Sequence, residues 1–246
     1  FLTDPSILGR IAAATGAGAG STVIEIGPGR GALTEHLLRT GARVTAVEID
    51  RDLVRILRER FAGSDRLTIL EGDVLELDLA AVAGGPYVLA GNIPYNITTP
   101  LLFHAMRPPR PRCAVFLLQR EVGERMTAAP GTRAYGALTV TLAVVAHTEI
   151  LFRVPPGAFQ PPPAVDSVVV RLVPRPEPLV VDGTELPCPA CDVLMPPGQV
   201  GGLGLNECPA CHGLWVPGEH FDRLVERAAQ AQRQAGSARP RRASGN

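Results

Sequence analysis

The sequence predicts an α/β fold with a mostly parallel seven-stranded sheet, followed by a small cysteine-rich segment. Three observations predict it. Residues 22–26 are a short β-branched run that stops at Gly27-Pro28-Gly29-Arg30-Gly31. Behind that turn, Ala32, Leu33, Leu37 and Leu38 fall on one helical face, and short apolar runs then alternate with amphipathic stretches. Near the end, two C-x-x-C pairs stand sixteen residues apart.

A chain of 246 residues holds one full domain plus a small one. Its formal net charge is zero, so there is no global field to attract nucleic acid. All 24 basic residues are arginine. No apolar run reaches membrane-spanning length and no signal peptide opens the chain. The five cysteines are Cys113 and the two pairs, a spacing that fits metal rather than disulfides, so a cytoplasmic location is expected.

Taken in order, Phe1-Leu2-Thr3-Asp4-Pro5 leads into a short helix over 6–14 with Ile7, Leu8 and Ile11 on one face. Strand 22–26 and its turn follow. Gly27 and Gly29 let the backbone turn sharply and approach a ligand, and the next helix aims its first N–H groups at the same point. This is how an open α/β sheet builds a nucleotide-type cofactor site; a tight turn without a ligand is the alternative. Strand 43–48 ends on Glu48, where such folds place a carboxylate for the ribose hydroxyls. Asp50 shares that role or caps the next helix, 51–61, which carries Leu53, Ile56 and Leu57 inward. Strand 67–70 runs into Gly72-Asp73, a carboxylate for an adenine amine or a simple turn.

Strand 87–90 enters Gly91-Asn92-Ile93-Pro94-Tyr95-Asn96. This segment suits methyl transfer to a planar amine. An adenine N6 lone pair is delocalised into the ring. Hydrogen bonds from both amine hydrogens, to the Asn92 side-chain oxygen and the Pro94 carbonyl, would draw the nitrogen towards an attacking, tetrahedral form. Tyr95 offers a stacking face. Positioning and electrostatics then carry the rate. A proline turn with a buried tyrosine is the alternative.

Thr98 is expected to cap a helix with Pro100 in its first turn and Leu101, Leu102 and Phe103 buried. Strand 113–118 contains Cys113, read as a small core residue. Helices over 120–128 and 137–146 precede strands 150–154 and 167–173. Between those strands a proline-stiffened loop holds Phe159, which either walls a base pocket or plugs the core.

Residues 1–174 resemble the S-adenosylmethionine-dependent rRNA adenine dimethyltransferases (the KsgA/RsmA family, related to the Erm enzymes). Seven segments carry the resemblance: Phe1-Leu2-Thr3-Asp4, Glu25-Ile26-Gly27-Pro28-Gly29, Glu48-Ile49-Asp50, Gly72-Asp73, Gly91 to Ile97, Gln119-Arg120-Glu121-Val122, and Val154-Pro155-Pro156 through Asp166-Ser167. The resemblance implies a Rossmann-like methyltransferase fold. It implies S-adenosyl-L-methionine contacts at Leu2, Gly27, Gly29, Glu48, Asp73 and Asn92, and base-stacking aromatics at Tyr95 and Phe159. It also implies rRNA of the small ribosomal subunit (16S) as partner and N6,N6-dimethyladenosine as product. The family's basic arm ahead of Phe1 has no counterpart here. Its Arg- and Lys-rich helical RNA-docking domain has none either.

In the place of that domain, 175–186 reads as a Pro-rich linker. Then Cys188, Cys191, Cys208 and Cys211 follow C-x2-C-x16-C-x2-C, the spacing of a closed, structural tetrahedral Zn2+ site. His212 is a competing ligand. The metal would supply folding energy that so short a segment lacks. Residues 187–230 resemble a TFIIB-type zinc ribbon with a helix over 219–229, and 231–246 reads as a disordered basic tail. The leading reading is an rRNA adenine methyltransferase. A second is a binding protein without turnover whose ribbon meets a partner. A third is a nucleotide dehydrogenase, since Gly27-x-Gly29-x-x-Ala32 also fits the dinucleotide fingerprint.

Overall fold

The structure is a computed structural model and describes residues 1–94, 97–129, 131–176, 186–188, 190–191, 193–200 and 203–215. The chain divides into two compact units, Phe1–Pro178 and Leu179–Asn246.

The first unit alternates helices and strands: α1 Pro5–Ala14, β1 Thr22–Ile26, α2 Ala32–Arg39, β2 Arg43–Glu48, α3 Arg51–Arg60, β3 Leu67–Glu71, α4 Leu79–Ala83, β4 Tyr87–Asn92, α5 Thr98–Ala105, β5 Cys113–Gln119, α6 Arg120–Met126, α7 Ala137–Val145, β6 Ala146–Val154 and β7 Ser167–Pro174. The strands form one seven-stranded sheet in the order β3-β2-β1-β4-β5-β7-β6. Strands β1 to β5 are parallel, and β7 pairs antiparallel with both β5 and β6. After β3 the chain crosses back to place β4 on the other side of β1. The carboxyl ends of β1 and β4 therefore flank a topological switch point, where open α/β sheets bind ligands.

Strand alternation sorts the core into two layers. Ile24, Ile26, Leu89 and Phe116 join α5 residues Leu101 and Leu102 on one face. Val23, Val115 and Val169 meet Ile11 of α1 and Leu37 of α2 on the other. Three helices, α1, α3 and α4, start at aspartates that satisfy their free N–H groups. Asp4 accepts from Ser6 and Ile7 at α1, Asp50 from Asp52 and Leu53 at α3, and Asp78 from Ala80 and Ala81 at α4.

Four local expectations need correction. Thr98 does not cap α5: Ile97 holds the cap position, and the Thr98 hydroxyl donates instead to the Pro94 carbonyl at 3.1 Å. Phe103 is only half-buried. Along α3 the buried residues are Val54 and Leu57, with Leu53 and Ile56 half-buried. Strand β6 begins at Ala146, directly after α7, because it pairs along nearly the whole of β7, from Ala146 opposite Pro174 to Val154 opposite Ser167. A helical apolar period cannot reveal that, since the partner strand sets the length.

In the second unit, β8 Leu186–Pro187 pairs with β9 Leu194–Met195, and β10 Pro197–Val200, β11 Leu203–Glu207 and β12 Leu214–Trp215 form a three-stranded antiparallel sheet. Asn206 is buried and donates to the Met195 carbonyl at 2.9 Å, tying β11 to β9. The predicted helix over 219–229 and the tail lie outside the described residues, as does most of the linker.

Candidate active site

The carboxyl edge of the sheet carries two cavities that meet at Gly27. One, about 240 Å³, is lined by Leu2, Thr3, Glu25, Gly27, Leu33 and Asn92, among others. The other, about 180 Å³, is lined by Gly27, Glu48, Ile49, Asp73 and Pro94, among others. Together they make an elongated groove across the switch point. A separate cavity of about 300 Å³ around Leu77, Tyr87 and His104 contains none of the predicted site residues.

Gly27, Gly29 and Gly31 all adopt positive φ, so the turn after β1 is built on the conformation glycine tolerates. A Cβ on Gly31 would lie 2.4 Å from the Phe61 ring. Gly29 lines neither cavity. Its N–H donates to Glu48 Oε2 at 3.1 Å, so it acts by holding that carboxylate. The other oxygen, Oε1, accepts from Ile49 and Asp50 N–H at 3.0 and 3.1 Å. Glu48 is buried, and three backbone donors fix its direction at the groove wall. Asp50 is committed to capping α3. Asp73 accepts from Leu75 N–H at 2.9 Å, which orients its carboxylate while leaving acceptor capacity. Ile49 stands beside them with two-thirds of its surface exposed, an apolar plate at the edge of this cavity.

Glu25 is the residue that sequence reasoning passed over. It is buried at 1% exposure, beside Val23 on the α1–α2 face of β1. Its Oε2 has no hydrogen-bond partner among the described residues, and neither has the hydroxyl of Thr34 beside it. Burial raises its carboxyl to about 8, the neighbouring Thr34 relieving only part of that and the Glu48 charge adding to it. A buried carboxyl with an unpaired oxygen, in a cavity that also holds Asn92, can take a hydrogen-bond donor or, once ionised, a cation. The signal was present in the sequence: one acid inside an otherwise apolar strand.

Asn92 closes β4, half-buried in the same cavity. Pro94 lines the second cavity. Its carbonyl already accepts from Ile97 N–H at 3.2 Å and Thr98 O–H at 3.1 Å, which fills both lone pairs. Taking a further N–H requires one of these bonds to be shared or released. Tyr95 lies outside the described residues. Phe159 is 8% exposed and packs with Leu2 and Ile11 in the α1–α2 layer. As found it is largely a core residue, and its main chain forms a bridge with Leu2.

In the second unit the Sγ atoms of Cys188, Cys191, Cys208 and Cys211 lie within 4.8 Å of one another. Cys188–Cys211 and Cys191–Cys208 approach to 3.5 and 3.3 Å, too long for disulfides. The two pairs sit in matching turns: Cys188 N–H donates to Val193 C=O at 2.8 Å, and Cys208 N–H to Gly213 C=O at 2.9 Å. Backbone N–H groups of Cys211 and Ala210 hold the Cys208 thiol down to about 6. Four sulfurs that converge in this way fit a soft, tetrahedral cation. His212 turns away, its Nδ1 3.2 Å from Glu207 Oε1.

The seven-stranded sheet with its antiparallel β7 and a groove of glycine turn and strand-end carboxylates defines a Rossmann-like methyltransferase. Comparison with known proteins makes this specific. The ribosomal RNA adenine dimethylase family matches residues 1–186. The chain is 49% identical over 177 residues to ribosomal RNA small subunit methyltransferase A of Xanthomonas euvesicatoria, covering 71% of this chain and 68% of that protein. It is 48% identical over 193 residues to the Geobacter sulfurreducens protein of the same name, covering 75% and 69%. Among solved structures, a dimethyladenosine transferase from Plasmodium falciparum superposes with a TM-score of 0.65 at 34% identity, covering 71% of this chain and 63% of that one. The 23S rRNA methyltransferase ErmE gives 0.66 at 31%, covering 74% and 72%. The chain belongs to the ribosomal RNA adenine dimethylase family. The dehydrogenase reading is set aside.

Proposed function

We propose that this chain, an rRNA adenine methyltransferase by family, transfers methyl groups from S-adenosyl-L-methionine to N6 of adenines in small-subunit (16S) rRNA. The observation that carries the reading is the strand-end pair Asn92 and Pro94, next to a groove lined by buried Glu25 at one end and by Glu48 and Asp73 at the other. The bound cofactor supplies an electrophilic methyl on a sulfonium. Glu25 would hold its ammonium group, Leu2 would pack on its aliphatic part, Glu48 would accept from its ribose hydroxyls, and Asp73 would accept from its adenine amine. Gly27 leaves room where the two cavities join, and the Gly29 amide keeps Glu48 in place.

Asn92 Oδ1 accepts one hydrogen of the target amine, and the Pro94 carbonyl takes the other once Thr98 or Ile97 shares it. The two acceptors localise the N6 lone pair. Tyr95 stacks on the base, which enters flipped or single-stranded, and Phe159 meets it through the small part of its ring that the core leaves exposed. The methyl–sulfur bond would break as the N6–carbon bond forms, S-adenosylhomocysteine would leave, and the nitrogen would then release its proton to solvent, so no strong general base is needed. At the second transfer the one remaining N–H can reach only one of the two acceptors. The test is mass spectrometry of adenosines in small subunits lacking the modification, after incubation with the chain and cofactor. Dimethyladenosine is the expected product.

For the second unit, the proposal is that Cys188, Cys191, Cys208 and Cys211 hold one structural zinc ion in a ribbon spanning 187–230, joined by the linker 175–186 to the domain 1–174. Four thiolates leave no open position for catalysis. Elemental analysis should give about one zinc per chain, and Cys208→Ser should lose it.

A further inference from the structure

The segment ahead of α1 does more than line the cofactor cavity. Phe1, Leu2 and Thr3 all face it. The same three residues pair antiparallel with the loop that carries Phe159. Phe1 N–H donates to Gln160 C=O at 2.9 Å, and Gln160 N–H returns to Phe1 C=O at 2.8 Å. Thr3 donates to Ala158 C=O twice, from N–H at 2.9 Å and from its hydroxyl at 3.2 Å. Leu2 stands opposite Phe159, and both side chains are buried together. On its other side this strand rests on the glycine turn. A Cβ on Gly29 would lie 2.8 Å from the Phe1 ring, and the Arg30 guanidinium sits 5.5 Å over that ring.

We infer that Phe1–Thr3 is a positioning strap that couples filling of the cofactor cavity to the placement of Phe159 at the target base. The inference rests on the methyltransferase reading above and adds a link between its two ligands. A ligand packed on Leu2 and Thr3 stiffens the strap. Four hydrogen bonds pass that restraint to residues 158–160, so the ring is fixed before the adenine arrives. Coupling of this kind is reciprocal: the cofactor tightens RNA binding by the factor by which RNA tightens cofactor binding. Leu2 and Thr3 are thus positioning residues for the base as well as cofactor contacts.

The test uses the full chain and S-adenosylhomocysteine as probe. Hydrogen exchange at the Gln160 amide, which reports the bond to Phe1, should slow when the probe binds. In parallel, the affinity for unmethylated small ribosomal subunits should rise roughly tenfold with saturating probe. Thr3→Val, which keeps the shape and removes the hydroxyl bond to Ala158, should lower that ratio; Thr3→Pro, which also removes the N–H, should bring it close to one. Unchanged exchange at Gln160 with the probe bound, or an equal ratio in parent and variants, overturns the strap while leaving the methyltransferase reading intact. If calorimetry shows that the probe does not bind, the cofactor reading fails and takes the strap with it.

Discussion

At Glu25 a carboxyl group is fully enclosed next to a half-buried amide, Asn92, with one oxygen unpaired. Its value rises from 4.5 to about 8, so in the cofactor-free chain it is protonated at neutral pH. A cationic ammonium needs the ionised form. Cofactor affinity should therefore climb with pH up to about 8 and then level, and Glu25→Gln should flatten that profile while weakening binding; isothermal calorimetry across the range checks both. The stability effect has the opposite sense. A raised acid favours folding fully below its unfolded value, and that contribution is lost as pH rises through about 8. Cofactor-free Glu25→Gln should accordingly be more stable than the parent in alkaline solution, as denaturant titration would show. Asn92 carries the other residue-scale expectation. Asn92→Ala should lower kcat by about 100-fold or more, the scale seen on deleting one preorganised polar group, with RNA binding retained.

Among the elements, β4 shows what a sequence hides. Gly91 reads as the start of a turn, yet it is the fifth residue of β4, paired with Ile26 of β1. A Cβ there would come within 2.5 Å of the Ile26 carbonyl, a backbone atom that cannot step aside. Gly91→Ala should cost about 1–3 kcal/mol, read as a lowered Tm. It should also disturb the adjoining Asn92. The strands themselves were legible, because the period of two and the β-branched runs are local signals. The start of β6, the hydroxyl of Thr98 turned to Pro94, and the loading of the Pro94 carbonyl were not, since each depends on a partner distant in sequence or on the path of the turn. The same holds for Gly29. The hydrogen bond from its amide to Glu48 reaches a residue 19 positions on in the chain, which no local pattern reveals.

For the molecule as a whole, the family was readable from seven short segments because they cluster in space at the carboxyl edge of one sheet. Among the described residues no helix is long and apolar enough to cross a membrane. The two units have separate apolar cores. Among the described residues of the second unit, Cys188, Met195 and Cys208, with Trp215 against them, form a small core that is too slight to fold this segment unaided. If the four cysteines hold zinc as proposed, chelation should melt that segment, followed through Trp215 fluorescence, while S-adenosylhomocysteine binding persists. The described part of the second unit, residues 186–215, contains no arginine or lysine, so it offers no cationic face for phosphates. The central claim remains the reaction at Asn92 and Pro94. Mass spectrometry of adenosines from unmethylated small subunits, after incubation with the chain and S-adenosylmethionine, tests it most directly. N6,N6-Dimethyladenosine is expected with the parent chain and none with Asn92→Ala. Unmodified adenosine with the parent chain, under conditions where the cofactor is bound, would contradict it.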